Sequence, residues 1–183
     1  MTVVTHETQD NHRRTPVEII EMAREMLGTI DLDPASDEDA NKAVKAVHFY
    51  DTDGLIKPWY GRVWLNPPGG MVGPDGKQLT GKERPKGSVS SAALWWVKLL
   101  ESYRAGRVKE ALYLSFNLEI LRTAQTFGTP PQFYPFCVPR KRLVFESPAG
   151  KNSKQPMGAS AIFYLGQKKE KFRSVFGGIG YCT

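Results

Sequence analysis

Two short apolar runs in this chain stop in the same way. Ile30-Asp31-Leu32 ends at Asp33-Pro34, and Val63-Trp64-Leu65 ends at Asn66-Pro67-Pro68. Proline lacks the N–H that a sheet ladder needs, so each run reads as a strand that must end there on a polar side chain. Helical patterns alternate with these strands. In "TPVEIIEMAREMLG", Ile19, Ile20, Ala23, Met26 and Leu27 share one face. Thr15 is expected to cap that helix, Pro16 to take its first position, Glu18 to complete a capping box and Gly28 to stop it. Residues 37–47 predict a short helix, and "HFYDTDGL" a short strand followed by a loop. Residues 90–106 predict a helix with Ala92, Trp96, Leu99, Leu100 and Tyr103 on its inner face. "KEALYLSFN" predicts a buried strand ending at Asn117, and "LEILRTAQTFG" another helix. "FYPFCVPRKRLVFES" and "GASAIFYLG" predict a C-terminal antiparallel hairpin.

Strands alternating with helices predict an α/β fold, a sheet with helices on both faces. Ligands of such sheets collect at the carboxyl ends of the strands. Asp33, Asp53, Asn66 and Asn117 are therefore expected along one rim. The 183 residues suit a single domain. Residues 1–13 are expected to be a mobile tail, residues 14–183 the folded domain, and residues 69–89 an irregular, basic, Gly-rich insertion.

No apolar run approaches the ~18 residues of a membrane span, and the N-terminus lacks the apolar block of a signal peptide. Two cysteines are too few for a disulfide framework, and three scattered histidines do not make a metal site. A reduced, cytoplasmic protein without membrane or metal is the expectation. The charge is uneven. Residues 1–66 hold 7 Lys/Arg against 12 Asp/Glu, and residues 67–183 hold 18 against 7. A basic remainder behind an acidic first third favours a polyanionic partner, nucleic acid. Lys77, Lys82, Arg84 and Lys86 follow the Asn-Pro-Pro turn, and Arg140 and Arg142 are expected on one face of a strand. Phosphate contact and plain solvation are both open for these six.

An Asn-Pro-Pro turn has a chemical use beyond ending a strand. The Asn66 amide oxygen and the Pro67 carbonyl are two acceptors whose spacing proline stiffens. Two acceptors on the two N–H bonds of a planar amine favour a more tetrahedral, nucleophilic nitrogen. Neither acceptor is basic, so the effect is positioning and electrostatic stabilisation. The fitting electrophile is a methyl group on a sulfonium, a cation that suits acidic surroundings.

"RTPVEII", "LDPAS", "YDTDGL" and "VWLNPP" occur in that order. Together they resemble the successive motifs of the phage-type DNA N6-adenine methyltransferases, and "VPRKRLVFES" with "GASAIFYLG" is similar to that family's C-terminal hairpin. The resemblance spans roughly residues 14–180. It implies a Rossmann-like methyltransferase sheet, S-adenosylmethionine as cofactor and DNA as partner. It implies Thr15 and Pro16 beside the amino-acid end of the cofactor, and Asp33, Pro34 and Ala35 as the cofactor loop. Asp53 would accept from the cofactor adenine, and Asn66, Pro67 and Pro68 would hold the target amine of a base flipped from the stack. A setting in phage evasion of restriction also follows from the resemblance alone. Cytosine N4, an RNA adenine or a glutamine side chain could meet the same acceptors. A non-catalytic nucleic-acid-binding protein on this scaffold, or a purely structural module, stays open beside them.

The chain departs from the family pattern in three places. Gly69 stands where an aromatic usually follows the two prolines, with Tyr60, Trp64, Trp95 and Trp96 as candidate replacements. "SDED" stands where many methyltransferases carry Gly-x-Gly. Only 17 residues separate Ala35 from Asp53, with no clear ribose-binding acid between them.

Overall fold

The computed structural model describes residues 14–79, 84–145 and 158–183. The expected tail, residues 1–13, and Lys82 lie outside the described residues. The fold is α/β. The described residues form five α-helices: α1 (Val17–Leu27), α2 (Glu38–Val44), α3 (Ser91–Arg104), α4 (Ile120–Thr123) and α5 (Lys169–Phe176). The main sheet has seven strands: β1 (Leu32–Asp33), β2 (His48–Phe49), β3 (Gly61–Leu65), β7 (Val108–Ser115), β8 (Phe136–Pro139), β9 (Ala161–Leu165) and β10 (Gly180–Cys182). A small antiparallel sheet holds β4 (Met71–Val72), β5 (Gln78–Leu79) and β6 (Val89–Ser90).

The main sheet runs β10-β8-β9-β7-β3-β1-β2. The pairs β2·β1, β1·β3 and β3·β7 are parallel, while β9 joins β7 antiparallel, β8 joins β9 antiparallel and β10 joins β8 antiparallel. Period-2 alternation divides the apolar residues between two cores. Trp64, Leu112, Leu114, Ile162 and Tyr164 pack with α1, α2 and α5. Val63, Leu65, Ala111, Tyr113, Phe163 and Leu165 pack with α3 and α4. Both faces are thus covered, which is why β3, β7 and β9 read as continuous apolar runs. Two aromatic polar atoms, one on α3 and one on β7, are satisfied inside the core. Trp96 Nε1 donates to the Thr129 carbonyl at 2.7 Å, and the Tyr113 hydroxyl donates to the Ala92 carbonyl at 2.9 Å.

Several expectations need correction. The capping box at Thr15 and Glu18 does not form. Pro16 takes the cap position with ψ 137°, and no side chain caps α1. Residues 69–89 are not wholly irregular, because β4, β5 and β6 pair within them. Arg140 and Arg142 do not alternate on a strand. β8 ends at Pro139, since β9 pairs only with Phe136 and Cys137, and β10 reaches only to Pro139. The helix expected after Asn117 is one turn of α-helix that tightens into a 3-10 turn at Ala124–Phe127. The C-terminal stretch adds α5 and a further edge strand, β10, which brings Cys182 opposite Cys137, both as free thiols. Among the described residues no helix is long and apolar enough to cross a membrane.

Candidate active site

The order of the strands makes the site. From β1 the chain crosses through α2 to β2 on one side, and β3 then pairs with the other side of β1. Connections that leave β1 and β3 in opposite directions open a crevice at their carboxyl ends. A cavity of ≈ 240 Å³ lies there. Asp33 and Ala35 reach it from the end of β1, Tyr50 and Asp51 from the end of β2, Asn66 to Gly70 from the end of β3, and Phe116 from the end of β7.

The wall built by β1, α2 and β2 is charged. Asp33 is 3% exposed, and its Oδ1 accepts from the Ala35 N–H at 3.2 Å. Burial drives its pKa up to about 7 against that bond and one from Ser36, and the nearby Asp37 charge adds to the rise. Asp37 caps α2 by accepting from the Ala40 N–H at 2.7 Å. Arg14 lines the same cavity and lies 3.9 Å from Asp37 and 3.5 Å from Asp39. A buried carboxyl held partly protonated is stabilised as the anion when a cation enters beside it.

The opposite wall carries no charge. Asn66 Nδ2 donates to Thr15 Oγ1 at 3.1 Å, which leaves its amide oxygen as the acceptor in this orientation. The same bond explains the missing cap, because the Thr15 hydroxyl is turned to Asn66 rather than to the first turn of α1. Pro67 is buried and Pro68 half-buried beside it. The turn is then pinned. Gln78 Nε2 of β5 donates to the Gly69 carbonyl at 2.7 Å, and the Ser91 N–H at the start of α3 donates to the Gly70 carbonyl at 3.1 Å. Gly70 has φ +89°, a conformation that disfavours any residue with a Cβ.

Thr15, Asp33, Ala35, Asn66, Pro67 and Pro68 meet in this cavity. Pro16 sets the start of α1, and Pro34 is buried behind Asp33; neither lines the cavity. Asp53 does not line it either. It sits at φ 57° in a turn where its carbonyl accepts from the Ile56 and Lys57 N–H groups, and its Oδ1 is buried without a hydrogen-bond partner among the described residues. Tyr50 and Asp51 occupy the rim position expected of it. Asn117 accepts from the Glu119 N–H at 3.1 Å in a turn, and its neighbour Phe116 faces the cavity instead. Lys77, Arg84 and Lys86 are exposed along the small sheet and its connections; Lys77 lies 3.8 Å from Asp75. Arg140 and Arg142 are exposed on the stretch that leads to Phe145, which also reaches the cavity.

Of the four aromatic residues expected to replace one at 69, Trp64 alone lines the cavity, and it is buried. Trp64, Trp95 and Trp96 are all 0% exposed, and Tyr60 stands off the cavity in edge contact with His48. Trp95 stacks on Trp59 and Trp96 packs on Tyr113, so both belong to the core of α3. Tyr50, Asp51 and Phe116 were missed although each stands one or two residues past a strand. The carboxyl-end rule would have found them had the strand ends been set at Phe49 and Ser115. Arg14 and Asp37 carry no comparable signal. Among the described residues no group of three His, Cys, Asp or Glu side chains could hold a metal. Comparison with protein-family models, with curated proteins and with solved structures finds no match to this chain.

Proposed function

We propose that this protein transfers a methyl group from S-adenosylmethionine to the N6 amine of adenine in DNA, acting on a base flipped out of the stack. The observation that carries the proposal is one cavity with a buried acid, Asp33, on one wall and the Asn66-Pro67-Pro68 turn on the other. The order of the four sequence motifs supports it, and so does a mixed α/β sheet compatible with a Rossmann-like methyltransferase. The acidic wall fits a sulfonium cofactor, because the Asp33 carboxyl ionises more readily beside a cation. When bound, the cofactor supplies an electrophilic methyl group. Tyr50 offers a ring and Asp51 an acceptor to an adenosine portion, in the role first expected of Asp53. Thr15 holds the Asn66 amide so that its oxygen, with the Pro67 carbonyl, accepts from the two N–H bonds of the target amine. These acceptors would steepen the pyramid of the nitrogen and aim its lone pair without acting as bases; the methylated nitrogen would then release its extra proton to solvent. At ≈ 240 Å³ the cavity is too small to enclose cofactor and base together, so the base enters at its mouth beside Gly69 and Gly70. The exposed Lys77, Arg84 and Lys86 lie on the segment hydrogen-bonded to that turn, where they contact backbone phosphates.

The acceptor pair fits any planar amine; adenine in preference to cytosine rests on the family resemblance. The test is incubation of the purified protein with mixed-sequence DNA and S-adenosylmethionine, followed by digestion and mass spectrometry of the nucleosides. N6-methyladenine above a no-enzyme control is the expected result. N4-methylcytosine alone would move the reaction to another base, and the absence of any methylated nucleoside would refute the proposal.

A further inference from the structure

We propose that Phe116 is the ring on which the target base stacks, and that residue 69 is glycine because this ring already fills the place of a side chain there. The inference rests on the amine-methylating reading of the site. Phe116 follows the end of β7, the strand paired in parallel with β3, with Tyr113 opposite Leu65. The two strand ends therefore deliver Phe116 and the Asn66-Pro67-Pro68 turn side by side. A Cβ on Gly69 would lie 2.6 Å from Phe116 Cζ, closer than a real Cβ approaches, and 3.1 Å from Cε1, a tight contact. With the ring in this position, it and a side chain at 69 exclude one another.

Four aromatic residues line the cavity: Tyr50, Trp64, Phe116 and Phe145. Trp64 is 0% and Phe145 2% exposed, so both are committed to the core. Tyr50 lies on the β2 side, with its hydroxyl tied to the Pro58 carbonyl at 2.7 Å. Phe116 is half-buried and in contact with the turn that carries the acceptors. It combines an open ring surface with the reach to a base whose amine sits on Asn66. A flat apolar face selects a planar heterocycle over a flexible amide of similar hydrogen-bonding pattern, and so favours a nucleobase over a glutamine side chain.

The mutual exclusion makes the assignment testable in both directions. The variants are Phe116→Ala, Phe116→Leu, Phe116→Tyr, Gly69→Phe and the double variant Phe116→Ala/Gly69→Phe. Each is assayed for kcat/KM on mixed-sequence DNA and, separately, for S-adenosylmethionine affinity by calorimetry. Loss of one base–aromatic stack corresponds to roughly a 10- to 100-fold fall in kcat/KM for Phe116→Ala, with cofactor affinity within about threefold of wild type. Phe116→Leu keeps apolar volume and removes the flat face. It should fall similarly at an unchanged melting temperature, which separates stacking from folding. Phe116→Tyr should stay near wild type. Gly69→Phe alone should be impaired by the clash, and the double variant should exceed Phe116→Ala because the ring is supplied from the turn. Wild-type kcat/KM in Phe116→Leu, or a parallel loss of cofactor affinity, would overturn the inference while leaving the methyltransferase reading intact. A wild-type protein that forms no methylated nucleoside would overturn that reading and this inference with it.

Discussion

The two walls of the cavity differ in how they are made. The wall from β1, α2 and β2 is assembled from the charges Asp33, Asp37 and Asp51, with Arg14 from ahead of α1 set against Asp37. The wall from β3 and β7 is neutral, a stiff Asn-Pro-Pro turn with an aromatic ring against it. Charge in a buried place responds to protons and to cations, whereas a neutral acceptor pair responds to geometry. Under the proposed function, the difference gives cofactor capture to the first wall and amine orientation to the second. It also predicts that the two can be broken separately.

The largest effect belongs to the neutral wall. Asn66→Ala should lower methyl transfer by about 100-fold or more, the size of losing one preorganised polar group at a reacting centre. Its S-adenosylmethionine affinity should stay within a few-fold, as calorimetry would show. Equal losses in turnover and affinity would mean that the walls are not separable.

The charged wall should show itself through pH. Burial raises the folded pKa of Asp33 to about 7 from an unfolded value of 3.8. Between these values the folded state binds more protons than the unfolded one, so Asp33 lowers stability as pH rises from 3.8 to about 7. Asp33→Asn, which cannot ionise, should therefore melt higher than wild type at pH 8 and lose that advantage near pH 4. A cationic ligand reverses the preference. S-adenosylmethionine affinity should rise about tenfold from pH 6 to pH 8, following the ionised fraction, and S-adenosylhomocysteine, with a neutral sulfur, should rise less. In Asp33→Asn the slope should flatten. A flat wild-type profile would remove Asp33 from the cofactor site.

Smaller effects concern what supports the neutral wall. Gln78→Ala removes the bond to the Gly69 carbonyl, a net contribution of about 1 kcal/mol, and should slow turnover roughly fivefold with cofactor affinity unchanged. Lys86→Ala should leave turnover at saturating DNA nearly intact and reduce the slope of log affinity against log salt by about one, measured by fluorescence anisotropy. An unchanged slope would make Lys86 an ordinary solvated residue.

The walls also differ in how far the sequence revealed them. Asn66, Pro67 and Pro68 were visible because proline ends a strand wherever it stands, and Asp33-Pro34 obeys the same local rule. The alternation of helix and strand was likewise enough to expect a sheet covered on both faces. Phe116 and Gly69 could not be paired from sequence, since their meeting depends on β7 lying beside β3. Tyr50 and Asp51 were passed over for Asp53 because a two-residue strand, His48–Phe49, leaves almost no periodicity from which to fix its end. The capping box at Thr15 failed for a tertiary reason: a hydroxyl that could cap α1 is bonded to an amide 51 residues away. Local signals located the elements, and strand order decided which of their ends share a cavity.

The division of labour is tested most directly by titrating S-adenosylmethionine into wild type, Asp33→Asn and Asn66→Ala at pH 8 in a calorimeter. The account predicts binding to all three, weakened about tenfold or more by Asp33→Asn and hardly at all by Asn66→Ala. Undetectable binding to the wild type, or Asn66→Ala weakened as much as Asp33→Asn, would contradict it.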